Sequence, residues 1–230
     1  MLKNTVIAST IALPKANLAA ATQNAREHSL AGAFEMLGAP MRFERNVEIH
    51  GEDEPAEYFY QVVTGAVRTY KVLEDGRRQI GAFHLPGDVF GLEAGDEHSF
   101  SAEAIVASTI RVAKRSSIVS MAARDSDIAA DLWAWTARSL CSAQKHMMLL
   151  GRKNAEERVA TFLLDMARRG STEQMIELPM SRQDIADYLG LTIETVSRTL
   201  TQLESKAAIE LPSSRRILMR SRASLQRLNA

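Results

Sequence analysis

The chain has 230 residues, 46% of them hydrophobic, and its 28 Lys and Arg balance 28 Asp and Glu. Such a chain can bury a substantial core without disulfides or metal ions. A single cysteine, Cys141, excludes an internal disulfide and a cysteine-ligated zinc or iron–sulfur site. No apolar run approaches the roughly 20 residues that span a bilayer. We therefore expect a cytoplasmic protein without a membrane partner.

Residues 1–28 are Ala-rich and predict a loosely ordered extension. Residues 43–113 consist of short segments rich in β-branched and aromatic residues, separated by Gly and Pro turns. The pair Asp75-Gly76 between two such segments predicts a hairpin, because both residues tolerate a positive φ. Many short strands with regular turns predict a sandwich or roll. We assign it to residues 29–125.

A long helix is predicted from Ile128 to Gly151, because this stretch has no Pro and no internal Gly. We assign residues 126–151 to dimerisation, since a stripe along this helix repeats every seven residues, as in a two-helix coiled coil. The alternative is that the stripe packs on its own domain. Cys141 lies one position off it and is either inert or a redox switch. The stripe consists of Trp133, Thr136, Leu140, Ala143, Met147 and Leu150.

Residues 152–230 predict a DNA-binding domain. A helix from Asn154 to Arg169 and a short strand over 175–178 precede two helices joined by a tight turn. Ser181 with Asp184 predicts a capping box for the first of these helices. The turn falls at Gly190, where a Cβ is expected to crowd the second helix. Together with the spacing of the inward Ala186, Gly190 and Val196, the pattern predicts a helix-turn-helix.

The second helix, from about Thr192 to Leu203, has a face suited to the major groove of DNA. Arg198 can bond to O6 and N7 of guanine, Glu194 can accept from N4 of cytosine, and Ser197 can donate or accept. The alternative is a solvated face with a Glu194–Arg198 ion pair.

A wing is predicted after this helix. Two strand-like segments, 209–211 and 217–219, flank a basic turn that carries Arg215 and Arg216. No acid follows Glu210, so this end of the chain is locally basic, which suits phosphate contacts. The alternative is a solvated basic tail.

Three segments resemble the Crp–Fnr superfamily of bacterial regulators: residues 83–91, 149–160 and 181–200. The resemblance implies an α+β fold with an N-terminal β-roll like a cyclic-nucleotide-binding domain, a long dimerisation helix and a C-terminal winged helix-turn-helix. It also implies a homodimer without enzymatic activity. We find no Ser-His-Asp order, metal-ligand cluster or phosphate-binding Gly loop in the sequence.

The resemblance further implies an activator that binds a TTGA-N6-TCAA-like palindrome and contacts RNA polymerase. Glu194, Ser197 and Arg198 are expected to read bases together with Ile193, from two helices about 34 Å apart. Phosphate contacts are expected from Ser181, Arg182, Thr192, Thr195, Thr201, Arg215 and Arg216.

The sequence departs from relatives with known sensors. The first 140 residues contain no cysteine, so an Fnr-type iron–sulfur sensor is excluded. Phe100 stands where cyclic-AMP relatives carry a phosphate-binding Arg, and His84 alone is more typical of a structural residue than of a haem ligand. We expect no cofactor.

What remains resembles the FixK-like subgroup, which controls microaerobic respiration and nitrogen-fixation genes. Some of its members carry a redox-sensitive cysteine at the position of Ser181. We therefore expect control through abundance. The alternatives are a regulator gated by an unidentified small molecule in the β-roll, and a protein-interaction module with a degenerate helix-turn-helix.

Overall fold

The computed structural model describes residues 29–170, 172 and 174–228, so the predicted extension over 1–28 lies outside the described residues. The described chain begins with helix α1 (Leu30–Leu37), which is capped by the Ser29 side chain. Eight strands follow: β1 (Ala39–Phe43), β2 (Glu48–His50), β3 (Tyr58–Thr64), β4 (Val67–Val72), β5 (Arg78–His84), β6 (Val89–Phe90), β7 (Ser101–Ala104) and β8 (Ser108–Lys114).

These strands form two antiparallel four-stranded sheets, in the orders β1-β8-β3-β6 and β2-β7-β4-β5. Buried residues from both sheets form one cluster, in which Tyr60, Val62 and Ile110 meet Val67 and Ala102. The predicted hairpin joins β4 to β5, and Gly76 has a φ of +80° in its turn. The predicted β-roll is confirmed.

Two helices continue the chain, α2 (Arg115–Ala122) and the 27-residue α3 (Ser126–Arg152). The Asp125 side chain caps α3 by accepting from the backbone N–H groups of residues 127 and 128. Only Ile128 and Leu149 of α3 are buried, so most of this long helix is uncovered in the single chain.

The C-terminal domain begins with α4 (Ala155–Arg169), whose first turn is closed by a capping box between Asn154 and Glu157. Its further elements are β9 (Met175–Glu177), α5 (Arg182–Leu189), α6 (Ile193–Ser205), β10 (Ile209–Ser213), β11 (Arg216–Met219) and α7 (Arg222–Leu228). Strands β10, β11 and β9 form an antiparallel sheet in that order. The predicted winged helix-turn-helix and α+β fold are thus confirmed.

A single hydrophobic cluster joins the two ends of the molecule. It contains Ile80, Phe83 and Ile105 of the β-roll together with Leu149 of α3 and the buried faces of α4, α5 and α6. The C-terminal domain therefore packs directly on the β-roll. Within the described part of the chain, no helix is both long and apolar enough to cross a bilayer.

Candidate nucleic-acid interface

Helix α6 is held to the domain by one apolar face. Val196, Leu200 and Leu203 are at most 2% exposed, as the predicted buried stripe requires. The helix begins after Thr192, whose hydroxyl accepts from the backbone N–H of Thr195 at 3.2 Å. The predicted N-cap is confirmed, and the two hydroxyls also lie 3.1 Å apart.

The opposite face of α6 is exposed. Glu194, Ser197, Arg198 and Thr201 all lie on it, and Ile193 is 37% exposed beside them. The structure therefore brings together the four predicted base-reading residues on one accessible surface. Thr201 is less free than the others, because its hydroxyl donates to the carbonyl oxygen of Ser197 at 3.2 Å.

The charges on this face suit recognition of base edges. Hydrogen bonds from its own backbone N–H and from Thr192 lower the pKa of the Glu194 carboxyl, so Glu194 is an acceptor at neutral pH. Among the described residues, no ion pair joins Glu194 to Arg198, although they lie four residues apart. The solvated-pair alternative thus has no support in this geometry, and both groups remain available to a ligand.

The predicted turn before α6 is formed by a left-handed glycine. Gly190 has a φ of +60° and ends α5. The prediction that a Cβ at this position would crowd the second helix is wrong. An added Cβ would instead meet Leu150 Cδ2 at 3.4 Å and Arg158 Nη1 at 3.5 Å. The turn is packed against the end of α3 and the start of α4.

Two of the predicted phosphate contacts, Ser181 and Arg182, lie at the start of α5, and the structure engages the first of them within the protein. The Ser181 hydroxyl donates to Asp184 Oδ2 at 2.7 Å and accepts from the Asp184 N–H, which confirms the capping box. Its only proton is thus committed to a carboxylate, and we reassign Ser181 from phosphate contact to helix cap. Arg182 is half-buried, and this burial lowers the pKa of its guanidinium.

The wing exposes both predicted basic residues. Arg215 lies in the turn between β10 and β11, and its Nη1 donates to the carbonyl oxygen of Pro179 at 3.4 Å. Arg216 lies 3.0 Å from Glu177 Oε1, and both side chains are more than half exposed. An exposed pair of this kind contributes little to stability, so Arg216 can exchange its partner for a phosphate at small cost.

Most of the predicted dimer stripe of α3 is exposed in the single chain. Trp133 is 75% exposed, Leu140 60% and Met147 64%, and Thr136 and Ala143 are exposed between them. Contiguous apolar surface of this kind marks a site of association.

One residue of the predicted stripe is placed differently from the others. Leu150 is half-buried and packs against the core of its own chain, because the last turn of α3 lies over the α5–α6 turn. We therefore leave it out of the proposed dimer face. Trp135 packs beside the buried residues of α1, α2 and β3, so only Trp133 of the two tryptophans is uncovered.

Phe100 and His84, the two residues weighed as effector contacts from the sequence, pack on other groups of the β-roll. Phe100 lies against Gly81, where an added Cβ would come within 3.0 Å of its ring. His84 stacks on Phe90 with ring centroids 4.9 Å apart, and its Nε2 lies 3.3 Å from the Thr69 hydroxyl. These contacts favour the structural role expected of His84. In the described residues, no group of three or more His, Cys, Asp or Glu is suited to a metal ion.

The sequence did not indicate the residues that join the β-roll to the helix-turn-helix. Arg68 and Arg78 of the β-roll both form ion pairs with Asp184 of α5. Arg158 of α4 donates hydrogen bonds to the carbonyl oxygens of Leu150 in α3 and Leu189 in α5. Both strands carry other polar or charged residues, such as Lys71 in β4 and Gln79 in β5, so the local pattern does not single out these arginines or identify their partner.

Comparison with known proteins matches both ends of the chain. The family described as cyclic nucleotide-binding domain matches residues 40–125, and the Crp-like helix-turn-helix domain matches residues 157–228. The nitrogen fixation regulation protein FixK of Azorhizobium caulinodans is 52% identical over 216 residues, which cover 92% of this chain and 86% of that protein. FixK of Rhizobium meliloti is 46% identical over 170 residues, covering 74% and 77%. The solved structure of FixK2 from Bradyrhizobium japonicum has a TM-score of 0.81 and 57% identity, covering 84% of this chain and 98% of that one.

Proposed function

Because the chain belongs to the Crp/Fnr family of transcription regulators and is homologous to FixK, we propose that it activates transcription from a TTGA-N6-TCAA-like palindrome as a homodimer. The observation that carries this proposal is the exposed face of α6. Ionised Glu194 and unpaired Arg198 lie one helical turn apart there, flanking Ser197.

In the proposed complex, Arg198 bonds to guanine O6 and N7, and Glu194 accepts from the N4 amine of a cytosine. Ser197 and Ile193 contact adjacent base edges. Each bidentate pair discriminates against a wrong base by about 1–3 kcal/mol. The remaining contacts are to phosphates and fix the register of the helix without reading sequence. They come from Arg182, Thr192, Thr195, Thr201, Arg215 and Arg216.

The proposed domains are a β-roll over 29–125, a dimerisation helix over 126–151 and a DNA-binding domain over 152–230. Proteins of this family dimerise, and the exposed stripe from Trp133 to Met147 is the surface that fits a second copy. The dimer places two copies of α6 about 34 Å apart on one face of the duplex. RNA polymerase is the proposed further partner, in the cytoplasm.

We propose that the dimer binds DNA without an effector or cofactor and is controlled by its abundance. Phe100 packs on Gly81, and no Arg stands at its position to bind a ligand phosphate. The proposed target genes serve nitrogen fixation and microaerobic respiration, as the FixK relatives suggest.

The test is selection of bound sequences from a random duplex pool with purified protein and no added effector. We expect enrichment of a TTGA-N6-TCAA-like palindrome. Recovery of random sequences would identify an interaction module with a degenerate helix-turn-helix. If the palindrome is enriched only after a small-molecule extract of cells is added to the selection, the protein is a ligand-gated regulator.

A further inference from the structure

A buried group of charges lies between the β-roll and the first helix of the helix-turn-helix. We call it the interdomain ion cluster, and it consists of Arg68, Arg78, Glu103, Asp184 and Asp187. Arg68 of β4 donates from Nη1 to Asp184 Oδ1 at 2.8 Å and from Nη2 to Glu103 Oε1 at 2.6 Å. Arg78 of β5 lies 2.7 Å from Asp184 Oδ1 and 2.8 Å from Asp187 Oδ2.

The cluster is almost closed to water. The side chains of Arg68 and Asp184 are 9% and 4% exposed, and that of Arg78 is 23% exposed. A buried ion pair adds little net stability, because desolvation offsets the attraction between the charges. Its hydrogen bonds are nevertheless directional, so it selects one arrangement of the two domains over others that bury the same apolar surface.

Asp184 uses its two oxygens for different tasks. Oδ2 accepts from the N–H and hydroxyl of Ser181 and so starts α5, while Oδ1 accepts from both arginines of the β-roll. Burial opposes ionisation of this carboxyl, but the bonds from Ser181 and the charges of Arg68 and Arg78 prevail and lower its pKa. One carboxylate thus fixes both the beginning of α5 and its position on the β-roll.

Further contacts around the cluster also hold α5 and α4 against the β-roll. The Gln79 side chain donates to the carbonyl oxygen of Tyr188 at 3.4 Å, and the Tyr188 ring lies 5.1 Å from that of Phe83. Arg169 of α4 donates to the Phe83 carbonyl oxygen at 2.9 Å and forms an ion pair with Asp88. Since α5 leads into α6 through a tight turn, these contacts set the direction of the proposed reading helix.

We propose that the interdomain ion cluster sets the half-site spacing that the dimer accepts, which makes Arg68 and Arg78 positioning residues for sequence-specific binding. This inference rests on the proposed function. A dimer engages its second half-site at an effective concentration that depends on how firmly the two reading helices are held at the required separation. Loosening these docking contacts in each protomer reduces that effective concentration and broadens the range of spacers tolerated, while α6 itself is unchanged.

The experiment measures affinity for palindromes with spacers of five to eight base pairs and for a single half-site, in wild type and in the double variant Arg68→Gln/Arg78→Gln. We expect the variant to lose roughly tenfold on the best palindrome. Its affinity for a single half-site should stay within about twofold of the wild-type value. The ratio of its affinities for the best and the other spacers should fall by about the same factor as its affinity for the best palindrome. Arg77→Gln is the matched control, because this exposed arginine of the same hairpin pairs with Asp75 instead.

The outcomes separate this inference from the proposed function. If wild type shows no preference for any palindrome, the proposed function fails. If wild type prefers one spacer and the variant keeps the same preference, the cluster does not position the helix. Stronger binding by the variant would also overturn the inference, since the cluster would then hold the domain away from DNA. If the double variant does not fold, the single variant Arg78→Gln, at a partly exposed position, gives the same comparison.

Discussion

The guanidinium of Arg158 donates from Nη1 to the carbonyl oxygen of Leu189 at 2.8 Å, which ties the start of α4 to the end of α5. The same side chain donates from Nη2 to the carbonyl oxygen of Leu150 and from Nε to that of Lys153, each at 2.8 Å. Carbonyls at the end of a helix lack partners within it. Arg158 satisfies several of them and so connects the end of α3, the start of α4 and the helix-turn-helix.

The glycine beside this junction is expected to be intolerant of substitution. Gly190→Ala forces a left-handed conformation on a residue with a Cβ, which costs about 1–2 kcal/mol. The new methyl also contacts Leu150 and Arg158. Urea denaturation should show this loss in the free energy of unfolding. Gly151→Ala is the control, because its Cβ meets nothing within 4 Å and alanine favours a helix. Equal stability of both variants would argue against the turn geometry.

Arg198→Ala should relax base preference at one position in each half-site. Loss of a bidentate contact costs about 1–3 kcal/mol per half-site on the preferred palindrome and much less on random DNA. Binding to a panel of single-base operator variants measures this. Arg124→Ala, at an exposed position before α3, should leave the whole panel unchanged. An equal loss on palindromic and random duplex would make Arg198 a phosphate contact.

The wing offers a pair of substitutions with opposite expected signs. Arg216→Ala should weaken binding to all sequences alike and reduce the slope of log K against log salt by about one. Glu177→Gln should strengthen binding to all sequences, because it removes the carboxylate that lies 3.0 Å from Arg216. Titrations at several salt concentrations distinguish these effects from base reading. A sequence-dependent effect of either variant would contradict the assignment.

Local patterns in the sequence were sufficient for the helix-turn-helix. The cap formed by Ser181 and Asp184 and the turn at Gly190 depend on residues a few positions apart, and the structure has them as predicted. Helical periodicity alone predicts the buried stripe of α6, and the proposed reading face is the opposite, exposed side of the same helix.

Contacts between distant segments could not be predicted in this way. Arg68 and Asp184 are 116 residues apart, and nothing in either segment specifies the other. Leu150 fits the heptad as well as Met147 does, but the last turn of α3 is covered by the same chain. A periodic pattern predicts which face of a helix is apolar. Whether that face packs on the same chain or on a second copy depends on how the domains are arranged.

The exposed face of α3 predicts a dimer that a single charge can disrupt. Leu140→Lys places an ammonium group at the middle of the proposed seam, where the partner's helix would bury it without a counter-ion. Light scattering should then give the mass of a monomer, and palindrome affinity should fall toward half-site affinity. Ser142→Lys, on the same helix but off the seam, should remain a dimer. A dimeric Leu140→Lys protein would remove the seam hypothesis.

Two buried histidines predict a stability that depends on pH. The rings of His50 and His98 stack with centroids 3.6 Å apart, and both side chains are at most 5% exposed. Burial, and next the neighbouring His98, lower the pKa of His50 to about 4. Burial also lowers the pKa of His98, although Glu93 opposes this with Oε1 at 3.7 Å from Nδ1.

Because an exposed histidine has a pKa near 6.5, the unfolded chain binds a proton at position 50 between about pH 6.5 and 4, whereas the folded chain does not. The free energy of unfolding is therefore unaffected by His50 protonation above about pH 6.5. It decreases as the pH falls from there toward 4, because protons bind the unfolded chain preferentially. The full loss is about 3 kcal/mol for a shift of this size.

His50→Phe keeps an aromatic ring in the stack and removes the titrating group. Urea denaturation at pH 7.5 and pH 5 should show a smaller loss of unfolding free energy for this variant than for wild type. His98→Phe should change the pH dependence in the same direction, since its pKa is lowered by the same cause. If wild type and His50→Phe lose equal stability over this range, the His50 imidazole is already protonated in the folded protein or takes no part in its acid sensitivity.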